Sequence, residues 1–322
     1  MAHSVLILGN GFDIDLGYKT KYSDFVNSEY WPFKEKNLAA IGVPNLQNYI
    51  HDFTIKHKDE LGNVRWIDIE ELLRDYAISM NEFNLCNDEI VQADKEAYDL
   101  LVVKFGEYIR VAQRLGSKLH YVYKPSYKLV EAISLSSKTW KGFTFNYTDS
   151  EAIIDFMIYE KKGKRFQLPF FHIHGEVEMP YGESTLILGI DDVTIPKEYK
   201  FMRKSWNKNF NSHRLDDELV EAEQIVFFGL SFGHIDREYF RDFFNIIIKD
   251  YKPGNNRKEL HIITYDEYSR LNIMENLEGL GVQMSRLKKA MDVNFYLTSE
   301  MSTAHEIDRY NELCRIIKGN ND

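Results

Sequence analysis

Glycine and polar residues follow apolar runs at several points in this chain. The first is Gly9-Asn10-Gly11-Phe12-Asp13, directly after Ser4 to Leu8. A glycine turn at the carboxyl end of a strand leaves backbone N–H groups bare. Such groups suit a phosphate, because no side chain blocks its approach. The dinucleotide fingerprint has a third glycine, and here Asp13 stands near its place. A tight turn without a ligand fits the same residues. Asp13-Ile14-Asp15 also raises a calcium loop and a phosphatase aspartate. A calcium loop needs glycine at its sixth position, where Tyr18 stands. A phosphatase aspartate sits directly on a strand tip, whereas here residues intervene.

Asn146 ends the run Phe143-Thr144-Phe145. Open parallel sheets place ligands at such tips. The plain alternative is that Asn146 caps a helix beginning near Ser150. Phe171-His172-Ile173-His174-Gly175-Glu176 follows. Histidines two apart on a strand point to the same face. They permit a metal pair, with Asp191, Asp192 or Glu176 as carboxylate partners. They equally permit one working histidine at the strand tip, followed by a glycine that admits a ligand. Backbone-bonded structural histidines are the third reading. Gly229-Leu230-Ser231-Phe232-Gly233 repeats the opening logic before Asp236. Ser231 and nearby N–H groups suit a ribose or phosphate, and Asp236 suits a helix N-cap. Trp66-Ile67-Asp68-Ile69-Glu70 reads as an ordinary amphipathic helix start with exposed acids.

Composition narrows the classes. The 322 residues are 44% hydrophobic and 14% aromatic, which excludes a disordered chain. Lys+Arg 40 against Asp+Glu 50 leaves a net charge of −10, so wrapping of nucleic acid is not expected. Cys86 and Cys314 cannot form a disulfide framework or a four-thiolate zinc site. Val5 to Leu8 is too short for a signal peptide, and no run reaches the roughly 18 apolar residues of a spanning helix. A cytoplasmic protein away from membranes is expected.

These residues need a scaffold. From about Trp66 to Ser137 apolar residues recur at helical spacing, as in Ile69, Leu72, Leu73, Tyr76 and Met80. Beyond it, strand runs alternate with helical ones. Strands are expected at Gly142 to Phe145, Leu168 to Ile173, Thr185 to Leu188, Ile225 to Phe228, Leu260 to Thr264 and Val293 to Leu297. Helices are expected near Ser150 to Glu160, Asp216 to Glu223, Asp236 to Lys249, Glu267 to Glu278 and Ala304 to Ile317. The pattern predicts an α/β fold, a Rossmann-like parallel sheet with helices on both faces. Its core is expected at 1–60 and 139–322, with 61–138 as a helical insertion.

Together these pieces resemble the AbiH-type phage abortive-infection proteins. The stretches that carry the resemblance are Leu8 to Asp13, Thr20 to Phe25, Trp66 to Glu70, Phe145 to Thr148, His172 to Gly175, Leu188 to Asp192, and Phe228 to Ser231 with Asp236. The layout is also distantly similar to sirtuins, with Asn10 where they have alanine and Tyr22-Ser23 where they have Ile-Pro. The sirtuin zinc module has no counterpart, and sirtuin-like defence domains without zinc hydrolyse NAD.

The resemblance implies a defence effector that cleaves the nicotinamide–ribose bond of NAD, its substrate. Asn146 would hold the ribose hydroxyl or the attacking water, and neutral His174 would accept a proton. Asp24 or Asp13 would contact the carboxamide or orient the ribose. Gly9, Asn10, Gly11, Phe12 and Asp13 would take the pyrophosphate side. Gly229, Ser231 and Asp236 would take the adenosine side. No metal is required. A phage-derived trigger, a partner defence protein and self-association are the macromolecular contacts to expect. Two rivals stay open: a metal-dependent hydrolase built on His172 and His174, and a nucleotide-sensing subunit without catalysis.

Overall fold

The apolar run at the N-terminus forms β1, His3–Leu8, with both faces covered. Val5 and Ile7 enter one core, and Leu6 and Leu8 enter another. A strand between two helical layers needs apolar residues at successive positions, which is what the sequence supplies. Each fully buried aliphatic side chain contributes roughly 1.5–3 kcal/mol. The computed structural model describes residues 3–40, 42–65, 67–116, 121–177, 184–190, 195–210, 215–233, 236–252, 254, 256–301 and 303–319. Trp66, Asp191 and Asp192 lie outside the described residues.

The remaining strands are β2 (Thr139–Thr144), β3 (Phe170–His172), β4 (Gln224–Phe228), β5 (Lys258–Thr264) and β6 (Met291–Leu297). All pair in parallel, in the order β3-β2-β1-β4-β5-β6. Leu8 is level with Thr144 on one side and Phe228 on the other. The carboxyl ends of β1, β2 and β4 therefore finish together. The expected Rossmann-like sheet is present.

The helices, in chain order, are α1 (Asn10–Leu16), α2 (Tyr22–Val26), α3 (Leu46–Lys56), α4 (Ile69–Glu82), α5 (Asp88–Gly116), α6 (Pro125–Ser134), α7 (Ser150–Lys162), α8 (Leu215–Glu221), α9 (Arg241–Asp250), α10 (Glu267–Gly279), α11 (Met284–Ala290) and α12 (Ala304–Lys318). Leu16 of α1, Ile133 of α6, Ile154 of α7 and Leu313 of α12 pack on the Leu6 and Leu8 side. Leu219 of α8, Phe243 of α9, Leu277 of α10 and Leu287 of α11 pack on the Val5 and Ile7 side. Helices thus cover both faces of the sheet.

At the edges of this scheme the structure departs from the expected elements. Thr185 to Leu188 does not join the sheet. Its backbone bonds locally instead, with the Thr185 N–H donating to Glu176 O at 3.0 Å and the Ile187 N–H to His174 O at 2.7 Å. The stretch after Asp236 breaks into a 3₁₀ turn, Arg237–Phe240, before α9. Helix α11 had no counterpart among the expected helices.

The chain divides into two compact units. The first, Met1–Tyr18, Gly116–Ile173 and Asn211–Asp322, contains the sheet. The second is Lys19–Leu115 with His174–Phe210. Its core holds an aromatic group in which Phe25 meets Trp31 at 5.2 Å, Phe105 at 5.2 Å and Tyr108 at 5.5 Å. Asp94 pins it further. Its carboxylate accepts from Tyr76 at 2.8 Å, from Tyr199 at 2.6 Å and from the Leu46 N–H at 2.7 Å.

Candidate functional site

In the first unit the site grows from the tips of β1, β2 and β4. The turn after β1 crosses the end of β4 at very close range. A Cβ on Gly11 would stand 2.5 Å from the Gly229 Cα, and one on Gly9 would stand 2.6 Å from the Leu230 Cα. Gly229 itself takes φ 69°. These glycines are therefore required by backbone packing. Their amides are committed as well. The Gly9 N–H donates to Phe228 O, the Gly11 N–H to Gly229 O and the Phe12 N–H to Gly9 O, each at 2.9 Å. The expected row of bare N–H groups is thus not available at those three residues, because the strand ends use them to hold the turn.

The polar chemistry here comes from side chains. Asp13 is buried in α1 at 1% exposure. Its Oδ1 accepts from Asn146 Nδ2 at 2.9 Å, and its Oδ2 accepts from Thr148 Oγ1 at 2.8 Å. Burial pushes the Asp13 carboxyl up to about 7, against the lowering effect of the Thr148 and Asn146 hydrogen bonds. Asn146 is 3% exposed, and its N–H donates to Thr144 Oγ1 at 3.1 Å. Its Oδ1 is buried and has no hydrogen-bond partner among the described residues. The capping alternative for Asn146 fails, because Asp149 caps α7 by accepting from the Ala152 N–H at 2.8 Å. Asp15 likewise has a structural post: it accepts from the Ser126 N–H at 2.9 Å at the start of α6.

Ser231 is exposed beyond β4, and its backbone oxygen accepts from Asn276 Nδ2 at 3.0 Å. Asp236 precedes the 3₁₀ turn, but its side chain does not cap it. His172 ends β3. Burial lowers its ring to about 4, opposed by Asp149 and by a hydrogen bond to the Asn146 backbone.

In the second unit His174 is 3% exposed. Gly175 follows at φ 66°, where a Cβ would lie 1.9 Å from Thr185 O. The local pairing thus demands this glycine. Lys204, with no exposed side-chain surface, places Nζ 3.1 Å from His174 Nε2 and 3.4 Å from Nδ1. The same Nζ lies 2.9 Å and 3.0 Å from the two Glu70 oxygens. Glu70 also accepts from the Gly189 N–H at 3.1 Å. Burial, and then the Lys204 charge, hold the His174 ring well below its ordinary value. An ammonium can only donate, so the ring nitrogen it meets acts as an acceptor. A metal cation on this ring would sit against that ammonium, which disfavours the paired-histidine metal reading.

Glu70 is thus buried, not the exposed acid that helix periodicity suggested. It stands near the start of α4, where Asp68 accepts from the Glu70 and Glu71 N–H groups. Lys204 was missed altogether, since nothing in its neighbourhood marks it from sequence. Asp24 is half-buried and accepts from the Lys21 N–H at 3.2 Å, capping α2.

A six-stranded parallel sheet with a carboxylate–amide cluster at its central strand tips defines a Rossmann-like α/β protein. The chain belongs to the family Bacteriophage abortive infection AbiH, whose family model matches residues 5–252. A comparison with curated proteins found no match. Membership indicates a role in phage abortive-infection defence. Among the described residues, no helix is long and apolar enough to cross a membrane.

Proposed function

We propose that this protein is an abortive-infection effector that binds NAD and hydrolyses its nicotinamide–ribose bond. The observation that supports this best is the strand order 3-2-1-4-5-6. That order reverses between β1 and β4, and open α/β sheets bind dinucleotides outside the carboxyl ends of the strands at such a reversal. Gly9 to Asp13 and Gly229 to Ser231 flank that point.

The reaction breaks the bond between ribose carbon and nicotinamide nitrogen. Nicotinamide leaves with the bonding pair, and charge develops on the ribose as an oxocarbenium ion. Water supplies the new oxygen and releases one proton. In this proposal Asn146 holds the ribose hydroxyl or the water. His174 is the base that accepts the proton, which requires its acceptor nitrogen to be released from the Lys204 ammonium that occupies it in the structure. Asp24 caps its own helix, which leaves it an orienting role at most.

Calorimetry with NAD and with ADP-ribose tests the binding half of this reading. Saturable binding of both at one site per chain is expected. Absence of binding by the folded protein would overturn it.

A further inference from the structure

We infer that Asp13 is a positioning residue that fixes the Asn146 amide, so that Asn146 offers its unpaired Oδ1 as an acceptor to whatever binds at the strand tips. This rests on the NAD reading for the identity of the ligand, but the lock itself does not.

An asparagine amide offers two donors on one side and an acceptor on the other, and either can face a ligand. Here the choice is made within the fold. Asn146 Nδ2 donates to Asp13 Oδ1 at 2.9 Å. With the carboxyl ionised, flipping the amide would set its oxygen against a carboxylate oxygen and forfeit that bond. Thr148 holds the other carboxylate oxygen at 2.8 Å, so Asp13 cannot swing away cheaply. With Nδ2 held by Asp13, Oδ1 is left buried and without a partner among the described residues. A buried acceptor left unpaired is unfavourable, and that cost is recovered when a donor arrives. The group recognised is therefore a hydrogen-bond donor. On NAD a phosphate oxygen, which can only accept, is thereby excluded, and among the donors the NAD reading places a ribose hydroxyl here. Asp13 acts through Asn146 and need not touch the ligand.

The test has two readouts on wild type, Asp13→Asn and Thr148→Val, with folding checked by thermal melts. The first is calorimetric affinity for NAD against an analogue lacking the 2′-hydroxyl of the nicotinamide ribose, and then against one lacking the 3′-hydroxyl. Wild type should discriminate against at least one analogue by tenfold or more. Asp13→Asn, in which the amide can turn either way, should lose that discrimination to within threefold. Thr148→Val should lose part of it. Undiminished discrimination in folded Asp13→Asn would overturn the inference. The second readout needs no ligand. Exchange of the Asn146 side-chain amide protons, assigned by their loss in Asn146→Ala, should be at least tenfold slower in wild type than in Asp13→Asn. Equal exchange in the two proteins would overturn the lock. If wild type binds no NAD, the NAD reading falls, and amide exchange alone decides the lock.

Discussion

Asn146 and Asp13, 133 positions apart in the chain, share a 2.9 Å hydrogen bond that is closed to solvent. One stands past the tip of β2, the other in the first helix after β1. The pairing follows from β1 and β2 being neighbours in register, with Leu8 level with Thr144.

Stability should report the Asp13 carboxyl. Its folded value of about 7 lies above the ordinary 3.8. A raised acid binds its proton more tightly when folded. Its contribution is therefore fully present below about pH 4 and is lost as pH rises through about 7. At about 1.4 kcal/mol per unit, the loss is about 4 kcal/mol at most. Tyr18, whose hydroxyl Asp13 also affects, titrates far above this window. Melts of wild type and Asp13→Asn from pH 5 to 8 should show the variant gaining relative stability as pH rises. A pH-independent difference would contradict the assignment.

Lys204→Met should be strongly destabilising, by about 3–5 kcal/mol, because it strands the buried Glu70 carboxylate. Glu70→Gln in the same chain should recover most of that loss while still accepting from the Gly189 N–H. Denaturant unfolding of the two single variants and the double decides. Additive losses would show that the pair is not coupled.

Gly11→Ala should cost more than about 2 kcal/mol, since its Cβ meets backbone at Gly229 rather than a movable side chain. Gly233→Ala is the control, because the nearest atom to its Cβ is Ser231 Oγ at 3.5 Å. Similar melting temperatures for the two variants would refute the close-crossing account.

Much of the sheet was legible. Val5 to Leu8 and Ile225 to Phe228 are continuous apolar runs, and such runs have few other homes than a strand covered on both faces. Thr185 to Leu188 misled for the same reason. It is apolar and largely buried, yet its partners are the residues after β3 and not a sheet strand. Of the candidate residues, Asn146 was visible because it ends an apolar run. Its bond to Asp13 was not, because strand order is a long-range property. Glu70 and Lys204 lie 134 residues apart and were invisible as a pair, since burial of a charge depends on a partner that no local period reveals.

Substitutions at Asn146 and His174 should affect turnover far more than NAD affinity. General-base catalysis supplies about 10²- to 10⁴-fold, so His174→Ala should lose at least about 3 kcal/mol of transition-state stabilisation. Asn146→Ala should lose a comparable amount. His172→Ala should cost much less. Losses at His172 equal to those at His174, together with metal in the purified protein, would favour the metal-dependent reading.

The most direct measurement is release of free nicotinamide from NAD by the purified protein. The account predicts nicotinamide and ADP-ribose in equal amounts, with release falling at least a hundredfold in folded Asn146→Ala. Binding of NAD with no nicotinamide released by wild type would contradict it and leave a nucleotide-sensing subunit in its place.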